Sequence, residues 1–397
     1  MRPFGRLTPF AEARRVALGL CEPVTESRNL PLREAAGRVV SADISAPVDV
    51  PSTDRAAMDG YAVIADDLTD SAETTLRLAG RVMAGELEET RVEAGFCREV
   101  ATGARLPSGA NAVVPVEQTR AADDRIEIVE PVAAGSHVSR RGEDLAAGDV
   151  ILARGEPITP GAAAALSSIG VEEVEVYRRP RVLLVPTGDE LVPLGEDLRP
   201  GQVYDSNSVG VRQVLEAQGA RVERTAIVRD DPAALIDGVG RDDVDLVVTL
   251  GGTSVGRHDL VLDVVEGLGE VLVHGIAIKP GKPVLLARVG TRPLLGLPGF
   301  PTSCLFTSYL FAEPMVRALA GRAVDHRTRS TATLTATVSS PEGKLQFLTV
   351  RVSGDEATPV YRASSTITSM SRAHGWIEIG EAVTELSAGT VVDVTFF

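Results

Sequence analysis

An apolar run that stops at a glycine-rich turn is the feature that most limits how this chain can fold. Leu246–Leu250 is typical of a buried strand, and it ends at the turn Gly251–Gly256. A helix pattern follows from about Asp259. A strand, a glycine turn and a helix start leave backbone N–H groups free to bind an anion. The segment therefore predicts an α/β fold with an anion site at the end of this strand.

Strand and helix patterns alternate over residues 179–325. This order is typical of a three-layer α/β domain with a mostly parallel sheet, whose ligands bind at the carboxyl ends of the strands. Those predicted ends carry Pro186–Glu190, Arg229–Asp231, the glycine turn and Gly296–Pro298. We therefore expect these four segments to lie together at one edge of the sheet.

Three further regions flank the α/β pattern. Short strands separated by turns predict a small β domain over 51–147 and a C-terminal β domain over 326–397, with one strand at Val360–Arg362. Residues 1–50 and 148–178 predict a discontinuous helical and linker domain, which begins with a helix over 8–20 that Thr8 caps. A longer helix is predicted over Pro301–Leu319.

Composition excludes several classes of protein. Lys and Arg total 40 against 55 Asp and Glu, and the net charge of −15 argues against non-specific nucleic-acid binding. No apolar run of about 18 residues is present, so no membrane span is expected. The first residues lack the apolar segment of a signal peptide. The cysteines, Cys21, Cys97 and Cys304, form no C-x-x-C motif, which excludes a zinc knuckle and a disulfide framework. We expect a cytoplasmic protein.

Two lysines follow the glycine turn in a second turn. Lys279 and Lys282 flank Pro280-Gly281 between two predicted strands of the same sheet. Lysines in a loop are commonly only solvated. Their position near the glycine turn favours binding of a phosphorylated or otherwise anionic ligand.

Five acids fall at predicted strand ends or helix starts: Asp189, Glu190, Asp230, Asp231 and Asp259. Helix starts favour acids as caps, and Asp231 before Pro232 fits that simpler role. Acids gathered at one sheet edge repel each other unless a cation lies between them. Mg²⁺ prefers a few carboxylates together with phosphate oxygens, so the pattern predicts a magnesium site.

The glycine turn also matches the G-x-S-x-G motif of serine hydrolases, with Ser254 as the nucleophile. A hydrolase needs an acid and a histidine later in the chain. His274, His326 and His374 follow Ser254, but no motif surrounds the last two and His274 precedes any suitable acid. The anion-binding turn is therefore the favoured interpretation.

Eight motifs taken together resemble the molybdopterin molybdenumtransferase family, in family order from about residue 6 to the end. They are Met58–Ala62, Thr102–Ala104, Arg141–Asp144, Pro186–Leu191, Tyr204–Asn207, Gly251–Gly256 with Asp259, Ile278–Pro283, and Gly296–Gly299. Each motif alone is weak, whereas the ordered set is specific. The expected fold is multidomain α/β plus β, with an elongated helical and linker region, a small β domain, a three-layer molybdopterin-binding domain (179–325) and a C-terminal β-barrel domain.

The resemblance implies a homodimer whose cleft lies between the α/β domain of one subunit and the small β domain of the other. It implies that adenylated molybdopterin is cleaved there with Mg²⁺, that molybdate is inserted and that AMP leaves. The implied catalytic residues are Asp59, Thr102, Asp144, Glu190, Asp230 and Asp259, and Glu190 and Asp259 are the implied metal ligands. The implied cofactor-binding residues are Gly188, Asp189, Gly251, Gly252, Thr253, Ser254, Gly256, Lys279, Lys282, Pro298 and Pro301.

Two alternatives stay open. One is a molybdopterin adenylyltransferase-like activity, which would need the α/β domain alone. The other is a non-catalytic cofactor carrier or scaffold, because Phe300 stands where the family often has Asn and His374 precedes Gly375. The implied protein partners are a molybdopterin adenylyltransferase and apo-molybdoenzymes.

Overall fold

The structure is a computed structural model that describes residues 6–68, 74–86, 89–229, 231–252, 260–361 and 363–397. Its central sheet has six strands, β1 (Arg181–Pro186), β2 (Arg221–Arg224), β3 (Leu246–Leu250), β4 (Glu270–His274), β5 (Leu285–Val289) and β6 (Arg292–Leu297). Their spatial order is β2-β1-β3-β6-β5-β4. The first four strands in that order are parallel, and β5 and β4 run antiparallel to their neighbours.

Helices cover both faces of this sheet. One face carries Phe10–Gly19, Ser206–Ala217 and the helical segment 301–319, and the other carries Pro232–Gly240 and Leu260–Leu268. Apart from the first residues of β1 and β6, strands β1, β3 and β6 are buried along their whole length. Burial on both faces explains why these strands are continuous apolar runs. The prediction of a three-layer α/β fold is confirmed.

Two of these helices begin at acidic caps. The carboxylate of Asp205 accepts a hydrogen bond from the backbone N–H of Ser208 (3.0 Å), and that of Asp231 accepts one from Ala233 (3.0 Å). Pro232 occupies the first turn, where its missing N–H costs nothing. The predicted helix start at Asp231–Pro232 is confirmed, and the role of Asp231 is that of a cap.

The helix predicted over Pro301–Leu319 is continuous but not uniform. It consists of the α-helix Pro301–Thr307, a π-helical segment Ser308–Ala312 and the α-helix Glu313–Leu319. Pro314 has no N–H to donate, and its ring crowds the carbonyl of the preceding turn. A wide π turn directly before Pro314 accommodates that ring.

The predicted cap of the first helix is wrong. The helix Phe10–Gly19 has Pro9 at its N-cap position and no side-chain cap. Thr8 instead pairs with the edge of the α/β part, since its N–H donates to Gly275 O (3.1 Å) and its carbonyl accepts from Ala277 N–H (2.9 Å). The helix contributes Ala13 and Ala17 to the core of the α/β sheet.

A second sheet lies in the small β region. From edge to edge its strands are Ala112–Pro115, Gly60–Val63, Phe96–Val100, Thr74–Val82, Arg125–Ile128 and Thr119–Ala122. Only the pair Thr74–Val82 and Phe96–Val100 is parallel. Short strands Arg55–Ala56 and Val138–Ser139 pair beside this sheet, and 3₁₀ turns lie at Ala65–Asp67 and Val116–Gln118.

A separate core forms where the chain enters and leaves the small β region. It packs strand Ser27–Pro31 against Glu173–Tyr177, strand Ile44–Ser45 against Val150–Leu152, and the helix Pro160–Ser168 with the 3₁₀ turn Leu32–Glu34. Thr159 caps that helix, as its hydroxyl accepts from Ala162 N–H (3.2 Å).

The C-terminal region is a closed five-stranded barrel. Its strands are Arg329–Leu334, Leu345–Ser353, Glu356–Pro359, Gly375–Ile379 and Val391–Phe396. The pairing of Leu345–Ser353 with Gly375–Ile379 closes the ring. The strand predicted at Val360–Arg362 is misplaced at residues 360 and 361, because a tight turn at Gly354 (φ 60°) starts the return strand at Glu356, and that strand ends at Pro359; Arg362 lies outside the described residues. A short helix, Thr368–Ser371, and the paired strands Val338–Ser339 and Glu385–Leu386 complete the region.

The fold thus confirms a multidomain α/β plus β architecture. The division into four domains at the boundaries given above stays a prediction. Within the described ranges, no helix combines the length and the apolar character needed to span a membrane.

Candidate functional site: a cleft between the sheet edge and the barrel

A cleft of about 1500 Å³ opens at the carboxyl ends of the parallel strands. Thr187 and Gly188 follow β1, Gly251 and Gly252 follow β3, and Pro298 follows β6, and all five residues line it. Three of the four segments predicted to meet at the sheet edge therefore line the cleft, and Arg229 of the fourth contacts Asp189 of the first (Nη1 to O, 2.7 Å). Pro301, at the start of the next helix, lines the cleft as well.

The glycine turn lines the cleft wall with backbone that carries no side chains, and the N–H of Gly251 donates to Leu297 O (3.0 Å). Gly251 and Gly252 have φ values of 98° and 71°, which side-chain-bearing residues rarely adopt. A Cβ on Gly252 would lie 2.6 Å from Val261 Cγ2 and 2.9 Å from Thr187 Oγ1. Thr187 Oγ1 is buried without a hydrogen-bond partner in the described part of the chain. The rest of the predicted cradle, Thr253, Ser254 and Gly256, lies outside the described residues, as do Asp230 and Asp259.

The lysine turn is fixed from two sides. Ile278–Lys279 pairs in parallel with Leu345–Gln346 of the barrel. Gly281 has a φ of 101°, and a Cβ there would lie 2.1 Å from Thr307 Cγ2, so the turn packs tightly against the helix Pro301–Thr307. Lys279 and Lys282 are half-buried, and both line the cleft. The structure therefore brings both lysines to the glycine turn.

The predicted acids have different surroundings. Glu190 lines the cleft, and its carboxylate folds over Gly188, where a Cβ would lie 2.6 Å from Glu190 Oε2. Asp189 is exposed and does not line the cleft, and its carbonyl accepts from Arg229 Nη1 (2.7 Å). Asp263, which the sequence analysis did not select, lines the cleft opposite the strands. Asp205 also lines it but is engaged as a cap and by Arg224 (2.7 Å).

The donor set for a metal ion is incomplete in the described residues. They contain no group of three or more His, Cys, Asp or Glu side chains placed to hold a metal. Glu190 and Asp263 are hard oxygen donors at the cleft wall. Mg²⁺ usually takes one or two carboxylates and completes its shell with waters and substrate phosphates. These residues fit that sparse requirement.

The barrel supplies cleft residues that sequence reasoning missed. Lys344, Tyr361, Ser364 and Ser365 line the cleft from the barrel side. Lys344 directly precedes the strand that pairs with Ile278–Lys279. That pairing joins segments that are distant in sequence and spans only two residues, so no local sequence pattern predicts it.

Phe300 is the most exposed apolar residue of the cleft wall, at 61%. It occupies the N-cap position of the helix Pro301–Thr307 and provides no side-chain cap. The barrel substitutes for the missing cap, because Thr302 N–H donates to Ser364 O (3.1 Å) and Thr302 Oγ1 donates to Thr366 O (2.6 Å). Asn207 adds a bond from Nδ2 to Gly299 O (2.9 Å). The cleft wall keeps its shape without an amide at position 300.

The three predicted residues of the small β region do not line the cleft of their own chain. Asp59 and Thr102 are in contact, since Asp59 Oδ1 accepts from Thr102 N–H (2.6 Å) and Thr102 Oγ1 (2.9 Å). The backbone bond, reinforced by the hydroxyl, lowers the pKa of Asp59 below its usual value. Asp144 lies in a shallow depression of about 470 Å³ with Ala57 and His137.

Comparisons with known proteins cover nearly the whole chain. Three family models match it: "MoeA N-terminal region (domain I and II)" over 8–170, "Probable molybdopterin binding domain" over 184–318 and "MoeA C-terminal region (domain IV)" over 331–397. Molybdopterin molybdenumtransferase 2 of Mycobacterium tuberculosis is 35% identical over 94% of this chain and 95% of its own. Molybdopterin molybdenumtransferase of Haemophilus influenzae is 34% identical over 75% of this chain and 74% of its own.

A solved structure agrees over the full length. The molybdopterin biosynthesis moeA protein of Pyrococcus horikoshii OT3 superposes with a TM-score of 0.88 at 27% identity, covering 99% of this chain and 100% of its own. The matches to the N-terminal and C-terminal regions extend beyond the α/β part on both sides.

Proposed function

Because the chain belongs to the molybdopterin molybdenumtransferase family, we propose that it inserts molybdenum from molybdate into adenylated molybdopterin, with release of AMP, as the final step of molybdenum cofactor biosynthesis. The supporting observation is the cleft itself. Three lysines, Lys279, Lys282 and Lys344, and a bare glycine backbone face one cavity in a chain whose net charge is −15. A phosphoanhydride and molybdate are both anions that such a cavity would hold.

Charged and apolar residues of the cleft would bind different parts of the substrate. Lys279 and Lys282 neutralise anionic oxygens, and Gly252 lines the same cleft, whereas the N–H of Gly251 is engaged by Leu297 O (3.0 Å). The apolar wall around Phe300 and Ile236 offers a surface for a flat heterocycle. Cleavage of a phosphoanhydride depends mainly on positioning and charge neutralisation. The apolar wall would position the ligand, and the two lysines would neutralise its charge.

Mg²⁺ dependence is part of the proposal. Glu190 would hold the ion, with Asp259 from the predicted metal pair and Asp263 as a further donor at the wall. When bound, Mg²⁺ neutralises phosphate charge and polarises the bond that breaks. Glu190 is suited to this because Gly188 leaves space for its carboxylate at the strand end.

A homodimer with a shared cleft is the second part of the proposal. Asp59, Thr102 and Asp144 are absent from the cleft lining of their own chain. Asp59 is nevertheless held ionised by Thr102 at an exposed position, where a second copy can present it to the cleft. A cytoplasmic location, and contact with a molybdopterin adenylyltransferase and with apo-molybdoenzymes, complete the proposal.

The test is an AMP-release assay on adenylated molybdopterin with molybdate and Mg²⁺. Glu190→Ala and Asp59→Ala should each reduce the rate by at least about a hundredfold, the lower end of what positioned catalytic groups contribute. Asp197→Ala is the matched control, because Asp197 is an exposed acid outside the cleft lining. Chelation of divalent cations should stop the reaction in the parent protein.

The remaining alternatives give different results in the same assay. Tight binding of the substrate without AMP release would reject catalysis in favour of a carrier, for which exposed Phe300 is the structural argument. Formation of adenylated molybdopterin from ATP and molybdopterin would instead show the adenylyltransferase activity. A Ser254→Ala variant with normal AMP release would reject the serine hydrolase.

A further inference from the structure

Four arginines gather at the junction between the N-terminal segment and the α/β part: Arg28, Arg38, Arg179 and Arg322, hereafter the arginine cluster. Arg322 bridges the junction, since Nη1 donates to Gln218 O (3.2 Å) and Nη2 donates to Gly37 O. Arg38, next in sequence to Gly37, donates from Nη2 to Tyr177 O. Arg179 follows that tyrosine by two residues, and Arg28 pairs with Val176 in the adjoining strands.

No acid balances the arginine cluster. In the ranges that the structure describes, none of its four members forms an ion pair, and Arg38 and Arg322 donate to backbone carbonyls. Arg178, between Tyr177 and Arg179, shows the contrast, because it binds Glu26 (2.6 Å) and Asp245 (2.6 Å). Acids outnumber basic residues in the chain as a whole. The nearby acids Glu26 and Asp245 are thus engaged by Arg178 and not by the cluster.

Burial increases the free-energy cost of these unpaired positive charges. Arg38 is only 6% exposed, and Arg322 Nε is buried without a hydrogen-bond partner among the described residues. Burial, followed by the charges of Arg28, Arg179 and Arg322, lowers the pKa of Arg38 to about 10. A buried charge is ordinarily paired, because its desolvation is otherwise uncompensated. A counter-anion beside the exposed guanidinium groups of Arg28 and Arg179 would offset the mutual repulsion of the cluster.

We propose that the arginine cluster binds a tetrahedral oxyanion of the phosphate class, at a site separate from the cleft. The planar guanidinium fork matches such an anion with two parallel hydrogen bonds. An extended polyanion fits poorly, because the chain as a whole is acidic, and Arg38 is buried and Arg322 half-buried at the junction. The bound anion would fasten residues 37–38 to Gln218 and Arg322. None of the four arginines lines the cleft, so the site does not depend on the proposed function.

The test uses the exposed half of the cluster, so that the buried half stays intact. Arg28→Gln/Arg179→Gln removes two charges from exposed positions, and Arg33→Gln, an exposed arginine paired with Glu34 (3.6 Å), is the control. All variants carry Lys279→Ala, which weakens oxyanion binding in the cleft. Calorimetric titration with phosphate, sulfate and molybdate should show a site about tenfold weaker in the double variant than in the control, since a charge-assisted hydrogen bond contributes at least that much.

Thermal unfolding gives a second measurement, in which the difference in unfolding temperature between the double variant and its parent should change sign with the anion. In chloride, the double variant should unfold at the same temperature as its parent or higher, because repulsion has been removed. In phosphate at equal ionic strength the order should reverse, since only the parent and the control are stabilised by binding. Equal stabilisation of all three proteins by phosphate would be a general salt effect and would overturn the proposal. An unchanged dissociation constant in the double variant would overturn it too.

The three anions identify the occupant. Tighter binding of molybdate than of phosphate would show the substrate oxyanion of the proposed reaction, and the opposite order would show a free phosphate or a phosphate ester. AMP release measured with the Lys279 side chain restored tests the proposed function separately, because the cluster variants leave the cleft unaltered.

Discussion

Asp59 and Thr102 form a preassembled pair, in which one carboxylate oxygen receives both the backbone N–H and the hydroxyl of the threonine. Neither residue lines the cleft of its own chain. The pair holds a negative charge ready at an exposed position. The hydrogen bonds of this pair are therefore formed before any ligand binds.

Thr102→Val should raise the pKa of Asp59 part of the way back to its usual value. Valine removes the hydroxyl and keeps the backbone N–H, which is the larger cause of the lowered pKa. Because the folded-state pKa is depressed, the pair stabilises the fold above the unfolded-state pKa of Asp59, and this is lost as the pH falls through the folded value. A carboxyl-detected NMR titration of both proteins measures the change. An Asp59 pKa that is the same in both would contradict the hydroxyl's role.

Gly281→Ala should destabilise the protein by about 2–4 kcal/mol, from the positive φ together with the clash against Thr307. Thr307→Ser removes the clashing Cγ2 and keeps the hydroxyl that donates to Ser303 O (2.7 Å). The double variant should therefore recover roughly half of the loss. Urea unfolding of the four proteins of this cycle provides the measurement. Purely additive effects would show that the clash relaxes elsewhere.

Glu313→Gln should destabilise the junction of the long helix and the barrel by about 3 kcal/mol, the cost of leaving a buried charge unpaired. Glu313 is 1% exposed, accepts from Arg327 and lies 3.0 Å from His326 Nε2. Arg327 in turn stacks on Trp376, 5.2 Å from the ring centroid. Because Trp376 is the sole tryptophan, its fluorescence reports the loss directly.

The control for that prediction is an exposed pair. Arg212 and Glu216 lie one helical turn apart at 3.3 Å. Glu216→Ala breaks this pair and keeps the bond from Arg212 Nη1 to Val222 O (3.1 Å), so it should cost no more than about 0.5 kcal/mol. Similar losses in Glu313→Gln and Glu216→Ala would mean that the Glu313 pair is hydrated in solution.

Cys97 and Cys304 should resist thiol reagents until the protein unfolds. Both side chains are fully buried, and burial raises the pKa of each thiol, that of Cys97 to about 12. Cys21 is partly exposed and should be labelled first, although burial also raises its pKa to about 12. Mass spectrometry after timed maleimide labelling gives the order. Rapid labelling of Cys304 in the native protein would show that the long helix opens.

The α/β part was predictable because its signals are local. Strand β3 is a continuous apolar run, and Asp231–Pro232 marks a helix start within two residues. The turn between two predicted strands placed Lys279 and Lys282 near the glycine turn, and both line the cleft with Gly251 and Gly252. A local signal is sufficient when burial or capping fixes the residue by itself.

The barrel's share of the cleft was not predictable, because it depends on distant pairings. Lys344 reaches the cleft through the two-residue pairing of Ile278–Lys279 with Leu345–Gln346, and Ser364 reaches it through a single backbone bond to Thr302. Neither leaves a periodic pattern in the sequence. The misplaced strand at residues 360 and 361 has a comparable cause, since the turn at Gly354 sets where the return strand begins.

The pairing of Ile278–Lys279 with Leu345–Gln346 also couples the positive charge in the cleft to the position of the barrel. Lys279 lies between two strands of the central sheet in sequence but pairs with Gln346 of the barrel, and Lys344 directly precedes that barrel strand. Any rotation of the barrel away from the sheet would strain this ladder and draw positive charge out of the cleft. Opening the cleft would then also lower its affinity for an anion. Product release would therefore need no second conformational change.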